Sequence, residues 1–325
     1  MLFAAALLLF GAGLWWLNEP MPLRLQPGSA VVDLEVEPGT TANGVAEVVV
    51  QSGADVPVPL LQAWFRFSGQ ARLIKAGSYE LVPGTSPHKL LSMLVRGEET
   101  LKSVTLVEGW TFTQVRSALQ KAEQLAPDTL ALSPEIIMQK LDKPGMHPEG
   151  RFFPDTYTYA KGSSDLAVLK RAARAMDRRL DTAWSLRSAD TPLKSPEQAL
   201  ILASIVEKET GKSSDRAQIG GVFSNRLRIG MPLQTDPTVI YGLGPQFDGN
   251  LRRRDLQADT PYNTYTRSGL PPTPIAMPGR AALLAAVQPA PTKALYFVSR
   301  GDGSSEFSAN LDDHNRAVNK YIRGR

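Results

Sequence analysis

Three stretches of this chain align without a gap: "EVEPGTTANGVAEVV" at 35–49, "ELVPGTSPHKLLSML" at 80–94 and "TLVEGWTFTQVRSAL" at 105–119. Each runs from apolar residues into a glycine (Gly39, Gly84 or Gly109), then a Thr or Ser, then apolar residues at helical spacing. The glycine permits a tight turn and the hydroxyl can cap the first amides of a helix, so each copy predicts strand, turn, cap and helix. Between the first two copies, "VPVPLLQAWFRFSG" adds another short helix, so residues 32–83 predict strand–helix–helix–strand. The cadence makes the fold class α+β.

At 325 residues the chain is long enough for two or three domains. Its 42% hydrophobic and 21% charged residues exclude a disordered chain. A net charge of +4, with no long basic run and no interleaved aromatic pattern, gives no argument for nucleic acid as a partner. With no cysteine, disulfides, thiol catalysis, Cys-type zinc sites and a lipidated cysteine are excluded.

The first seventeen residues, "MLFAAALLLFGAGLWWL", carry no charged side chain. A cleaved signal peptide is one reading, but the flank "WWLNEP" holds no small-x-small cleavage site, and Trp15 and Trp16 suit a membrane interface. The expectation is an uncleaved single-pass transmembrane helix over 1–17, at the short limit for a span. No Lys or Arg precedes it, so the stretch reads as if a few residues stood before Met1. A Pro-containing linker over 18–31 follows, and no second long apolar run occurs.

Further along, "HPEGRFFPDTYTYAKG" is rich in rings that suit either core packing or sugar stacking. Residues 165–187 predict an amphipathic helix with Leu166, Leu169, Ala173, Met176 and Leu180 on one stripe and a solvated Arg/Lys/Asp face. "SPEQ" at 195–198 is a helix start, with Ser195 as cap, Pro196 at the first position and Gln198 closing a capping box, while Gly211 supplies the stop. A helix over about 214–229 follows, with Ile219, Val222, Phe223 and Leu227 on one side. Gly and Pro are dense from 230 to 280, which predicts loops and short strands around a binding groove. "ALYFVSR" reads as a strand and "NLDDHNRAVNKYI" as a closing helix.

The chemistry narrows by elimination. His88, His147 and His314 are far apart and no H-E-x-x-H occurs, so neither a metal nor a cofactor is expected. "GKS" at 211–213 lacks the upstream glycine of a phosphate loop, since Val206 holds that place, and there is no G-x-S-x-G. Ser86 and Lys89 match S-x-x-K, but Ser86 is more simply a helix cap. Carboxylates remain. In "EQALILASIVEKETG" at 197–211 an apolar helix runs into Glu207 and Glu209. With about 100° per residue and Ile201 at zero, Glu209 lies near 80°, inside the arc of Ile205, Leu202 and Val206. Glu207 lies near 240°, beside Leu200 and Ala203, while Ser204 and Lys208 mark the polar side near 300° to 340°. Glu209 is then the acid that faces a dry interior, where desolvation keeps a carboxyl protonated, unless the last turn frays and both acids are wet. "MPLQTDP" and "PYNTY" add Gln234, Asp236, Tyr262, Asn263 and Tyr265 on loops, groups that suit N-acetyl sugars.

Two resemblances follow. The strand–helix–helix–strand order with "PGTT" resembles the LysM carbohydrate-binding module. "ASIVEKET", "VFSNRLRIGMPLQTDPTVIYG", "TPYNTYTRSGLPPTPIAMPG", "LYFV" and "EGRFFPDTY" resemble the signatures of the YceG-like family, the endolytic murein transglycosylases, over nearly the whole chain. The resemblance implies a membrane anchor (1–17), a linker (18–31), a LysM-like subdomain (32–100) and a mainly helical, lysozyme- or transglycosylase-like catalytic domain with a loop-rich groove (101–325). It implies a lyase that cuts the β-1,4 bond between N-acetylmuramic acid and N-acetylglucosamine in nascent peptidoglycan, leaves a 1,6-anhydro end and terminates the strand. It makes Glu209 the catalytic acid, Thr210 its neighbour in a Glu-Ser-like pair, and Gln234, Tyr262, Asn263 and Tyr265 substrate-binding, with Glu207 and Asp236 in support. "MPL" before Gln234 departs from the Gly-Leu-Met run of related enzymes. The implied partners are peptidoglycan strands and peptidoglycan synthases, and the implied location is the bacterial inner membrane with the catalytic part in the periplasm. Two other readings stay open: a two-carboxylate muramidase using Glu209 with Asp236 or Glu207, and a non-catalytic peptidoglycan-binding protein.

Overall fold

The computed structural model describes residues 11–25, 30–98, 101–209 and 212–324. The chain divides into two compact units, one of Met1–Lys102 with Thr158–Ser163 and one of Ser103–Tyr157 with Ser164–Arg325.

In the first unit, β1 (Val32–Val36) pairs antiparallel with β2 (Gly77–Leu81), in a register from Val32 opposite Leu81 to Val36 opposite Gly77. Alternation sends Val32, Leu34 and Val36 inward and leaves Asp33 and Glu35 outside. Between the strands lie α1 (Ala42–Ser52) and α2 (Val58–Phe67), and α3 (Pro87–Arg96) follows. The turn chemistry is as the aligned segments predict. Gly39, Gly84 and Gly109 have φ of 88°, 93° and 76°, which L side chains rarely adopt. Thr41, Ser86 and Thr111 then cap their helices, each side chain accepting a backbone N–H in the first turn. Ser86 is therefore a helix cap.

The expected anchor over 1–17 falls largely on residues 1–10, outside the described residues. Residues 11–18 are helical, and no helix among the described residues is long and apolar enough to cross a membrane. Trp15 is exposed, whereas Trp16 packs against the core of the first unit. Part of the stretch read as a linker is docked there too. Met21 is buried, its N–H donates to Thr85 O at 2.9 Å, and Arg24 N–H donates to Gly53 O at 2.8 Å.

The second unit begins in β3 (Leu101–Thr105), which pairs with β4 (Thr156–Ala160). Between them stand α4 (Phe112–Lys121) and α5 (Pro134–Lys140). Then come α6 (Asp165–Ser185), α7 (Pro196–Glu209) and α8 (Ser213–Arg228). The region read as loops and short strands also holds helices: α9 (Asp236–Leu243) and α10 (Arg253–Gln257), with α11 (Arg280–Val287) directly after. The reason is visible at α9, where Pro237 stands in the first turn and Gly244 caps the end, so the dense Pro and Gly bracket a helix there. A hairpin of β5 (Tyr296–Ser299) and β6 (Ser305–Ser308) and a last helix, α12 (Leu311–Val318), close the chain.

Helix α7 is the axis of this unit and packs against α6, α8, α9 and α11. Every residue from Ala199 to Val206 is buried, including Ser204, expected on a polar side. Ser204 Oγ donates to Ile201 O at 2.7 Å and accepts from Ile275 N–H at 3.0 Å, so its hydroxyl is satisfied inside the core. At the start of α7, Ser195 caps as expected, but Gln198 reaches back to the N–H of Lys194 at 2.7 Å rather than to that of Ser195. Gly211, read as the stop, lies outside the described residues. Gly220 on α8 lets α11 approach closely, since a Cβ there would stand 2.3 Å from Ala285 O.

Candidate active site

Glu207 and Glu209 stand in the last turn of α7, and the tertiary structure gives them different surroundings. The Glu207 side chain is 5% exposed. One carboxylate oxygen accepts the N–H of Gly279 at 2.8 Å, and the other lies 3.4 Å from Nη2 of Arg216. Gly279 is the cap residue of α11, so Glu207 ties α7 to α8 and to the start of α11. Burial raises its pKa, while the Gly279 N–H and the Arg216 guanidinium oppose that rise.

Glu209 is half-buried and has no cation in direct contact among the described residues. Its Oε1 accepts a hydrogen bond from the hydroxyl of Thr235. Desolvation raises its pKa, and the nearby Asp236 carboxylate pushes in the same direction. The Thr235 hydroxyl and the more distant Arg226 guanidinium act against them, and the net shift is upward. This is the electrostatic setting of a carboxyl that holds its proton more tightly than a solvated one and can still give it up.

Thr235 is 1% exposed and is positioned by its own contacts. Its N–H donates to Thr264 Oγ1 at 3.1 Å, and the preceding Gln234 N–H donates to Thr264 O at 3.0 Å. These bonds stitch the 231–237 segment to the 261–265 segment. Gln234 takes φ of 49° while leaving its side chain exposed, a left-handed conformation that costs energy for a non-glycine residue and that the stitch to Thr264 holds in place.

The other expected site residues fall into two groups. Tyr262 faces a cleft of about 780 Å³ and packs edge-on against Tyr241, with ring centroids 4.9 Å apart. Tyr265 donates its hydroxyl to Asp236 Oδ1 at 2.5 Å, which orients the carboxylate beside Glu209. Asn263, expected to meet substrate, is fully buried, and its amide is committed to backbone. Its Nδ2 donates to the carbonyls of Asp255, Leu256 and Ala258, and its Oδ1 accepts the N–H of Tyr265. Asn263 is a clamp on the loop that carries the two tyrosines. Thr210 lies outside the described residues.

Three residues not singled out from sequence join the site. Thr235 is the direct partner of Glu209. Arg226 lies on the buried face of α8, 6% exposed. It donates to Leu295 O at 2.7 Å and to Leu233 O at 2.6 Å, with its guanidinium 5.3 Å from the ring centroid of Tyr296. Its place was legible, because it continues the Ile219, Val222, Phe223 spacing by one helical step. The third is Glu149, 3% exposed, in the wall of the 780 Å³ cleft. It accepts the N–H of Phe112 at 2.9 Å and the hydroxyl of Tyr241 at 3.1 Å. Burial outweighs those bonds and raises its pKa to about 7. The signal in the sequence was an acid standing at the head of an aromatic run.

The cleft wall also includes Lys208, Pro237, Ile240 and Gln114. It therefore runs through the chain neighbours of Glu209 and Asp236, although Glu209 is not itself part of that wall. Rings, an amide and hydroxyls around an apolar floor suit a pyranose.

Comparison with known proteins gives a family for the chain. A sequence model described as the YceG-like family matches residues 34–320. A protein of Bacillus subtilis (strain 168), named endolytic murein transglycosylase, is 29% identical over 334 residues, covering 97% of this chain and 91% of its own length. A protein of the same name from Streptococcus pneumoniae serotype 2 is 29% identical over 289 residues, covering 78% of this chain and 51% of its own, so the chain matches about half of that relative. The crystal structure of a yceG-like protein from Listeria monocytogenes superposes with a TM-score of 0.57 at 27% identity, covering 88% of this chain and 99% of that one.

Proposed function

The chain belongs to the YceG-like family, and on that footing we propose that it is an endolytic lytic transglycosylase of peptidoglycan with Glu209 as its single acid and base. The observation that carries the reading is the contrast at the end of α7. Glu207 is committed to Arg216 and the Gly279 N–H, while Glu209, among the described residues, accepts from the neutral hydroxyl of Thr235 and has a raised pKa. The names of the Bacillus and Streptococcus relatives support the same activity.

In the reaction, protonated Glu209 gives its proton to the glycosidic oxygen between N-acetylmuramic acid and N-acetylglucosamine. The C1–O bond breaks, and the leaving sugar departs with a free hydroxyl. The muramic acetamido group assists at C1. The Glu209 carboxylate then takes the proton of the C6 hydroxyl, whose oxygen bonds to C1 and closes the 1,6-anhydro ring. The acid is restored and no water is consumed. A nucleophile already within the substrate supplies the proximity advantage, so no second, water-activating carboxylate is required. Thr235 steadies the carboxylate, Asp236 and Arg226 set its affinity for the proton, and Tyr262 and Gln234 offer surfaces to the sugar.

The first unit, with its strand–helix–helix–strand order, is assigned to LysM-like glycan contact. The apolar 1–17 segment is assigned to a single-pass anchor in the inner membrane that leaves the catalytic part in the periplasm, beside peptidoglycan synthases. Mass spectrometry of products from purified glycan tests the catalytic reading: anhydro ends from the wild type and none from Glu209→Gln are expected. Reducing ends one water heavier would instead make Asp236 the second carboxylate of a muramidase. Binding to sacculi without release of fragments would make the protein a scaffold.

A further inference from the structure

Helix α2 is apolar on both sides. Leu61 and Phe65 turn inward and are buried, while Pro59, Leu60 and Phe67 are exposed, Phe67 to 83%. Ala63 and Trp64 are half-buried. Leu60, Ala63, Trp64 and Phe67 stand at i, i+3, i+4 and i+7, so they form one outward stripe. The helix has two polar residues. Gln62 turns to α1 and donates to Glu47 Oε1 at 3.4 Å, and exposed Arg66 stands at the edge of the stripe. A helix that is apolar all round calls for cover on both faces, and the described residues leave this stripe open.

The stripe borders the point where the chain enters the first unit. Trp64 donates its indole N–H to Pro87 O at 3.2 Å. Two residues earlier, Thr85 O accepts the N–H of Met21. Residues 11–18 are helical, and Trp16 packs on the same core. Only Glu19 and Pro20 separate that helix from the docked Met21, which leaves no slack. A bilayer that holds the apolar run therefore lies against this side of the unit.

The charges around the stripe are one-sided. From Val56 to Gly97 the cations are Arg66, Arg72, Lys75, Lys89 and Arg96, and the one acid is Glu80. Glu80 faces Lys102 at 4.0 Å, Arg96 faces Glu98 at 3.3 Å, and Lys75 donates to Arg96 O at 3.1 Å. Arg66, Arg72 and Lys89 are exposed, and none of them joins a carboxylate among the described residues. Elsewhere in the unit, Asp33, Glu35 and Glu37 line a separate pocket, and Asp55 faces Arg24 at 3.9 Å. Glu19 is the acid beside the apolar run.

We infer that the stripe of Leu60, Ala63, Trp64 and Phe67 seats in the interfacial layer of an anionic phospholipid bilayer, with Arg66, Arg72 and Lys89 meeting headgroup phosphates. The inference rests on the reading of 1–17 as a membrane anchor. Rings and aliphatic side chains gain burial at that depth while flanking cations stay among the headgroups. A second copy suits the stripe less well, because a two-fold contact sets the same cations against one another. Seated in this way, the unit meets glycan strands only close to the membrane surface.

The chain has no cysteine, so single-cysteine variants each carry one spin label. The full chain is reconstituted in vesicles of phosphatidylglycerol and phosphatidylcholine. Label access to oxygen, which concentrates in lipid, is compared with access to a water-soluble nickel chelate. A label at Ala63→Cys is expected to be open to oxygen and about tenfold less open to nickel than one at Glu37→Cys. Adding Leu60→Ser and Phe67→Ser should return the Ala63→Cys label to the water-exposed level. Phe67→Cys gives the same readout if labelling at Ala63 disturbs the fold. Nickel access at Ala63→Cys equal to that at Glu37→Cys overturns the inference. Low access to both reagents also overturns it, since the cover is then protein, from a second copy or from this chain. A label at Leu8→Cys separates the inference from the anchor. Lipid at 8 with water at 63 overturns the inference alone, whereas water at 8 with lipid at 63 overturns the anchor and keeps the seat.

Discussion

The hydroxyl of Thr235 donates to Oε1 of Glu209. This one contact joins the end of α7 to the start of α9. It makes the charge state of the acid depend on a loop that is itself stitched to Thr264. Glu209→Gln keeps the size of the side chain and removes the transferable proton. Turnover of purified glycan should fall about 10²- to 10⁴-fold, the usual contribution of a general acid, with the melting temperature nearly unchanged.

Thr235→Val removes the donor without changing the volume much. The bond favours the ionised carboxylate, so its loss moves the Glu209 pKa further up. The acid must be protonated in the free enzyme, so the alkaline limb of the kcat/KM profile should move to higher pH. The rate at the optimum should fall by about tenfold through lost orientation of the carboxylate. An unshifted alkaline limb would assign that limb to another group.

Glu207→Gln should act on stability instead. It keeps an acceptor for the Gly279 N–H but leaves Arg216, 13% exposed, without its counter-charge. Breaking a buried pair from one side costs about 3 kcal/mol, to be read from denaturant unfolding, while glycan cleavage per folded molecule persists.

Glu149 predicts a pH dependence of stability. Its folded pKa, about 7, lies above its ordinary value of 4.5, so the folded state binds more protons between those values. Stability is then fully present below about pH 4.5 and is lost as pH rises toward and through 7, by about 3 kcal/mol in total. Glu149→Gln should flatten the unfolding free energy between pH 5 and 8, and at pH 8 it should be at least as stable as the wild type.

Gly220→Ala should cost about 2 kcal/mol, because the new Cβ meets a backbone carbonyl of α11 and not a side chain that can turn away. A shift in the unfolding midpoint checks it.

Local chemistry was legible because it is local. Gly39 with Thr41, Gly84 with Ser86 and Gly109 with Thr111 each specify a turn and a cap within a few residues, and the helices that follow start where those residues say. Amphipathic spacing likewise placed Leu169, Ala173, Met176 and Leu180 in the core. The helical wheel worked less well on α7. That helix is buried on all sides, so no polar face exists to set against an apolar one, and Ser204 sits as deep as Ile205. The apolar arc singled out Glu209, but Glu207 is buried as well. What separates the two acids is who faces them: Arg216 of the next helix and the α11 cap for one, Thr235 for the other, each from a different element of the fold. The sequence alone determined the turns, the caps and the family signatures. Which carboxylate is paired with a guanidinium and which meets a neutral hydroxyl was decided only when α8, α9 and α11 closed around the end of α7, because desolvation and pairing are properties of the packed neighbourhood.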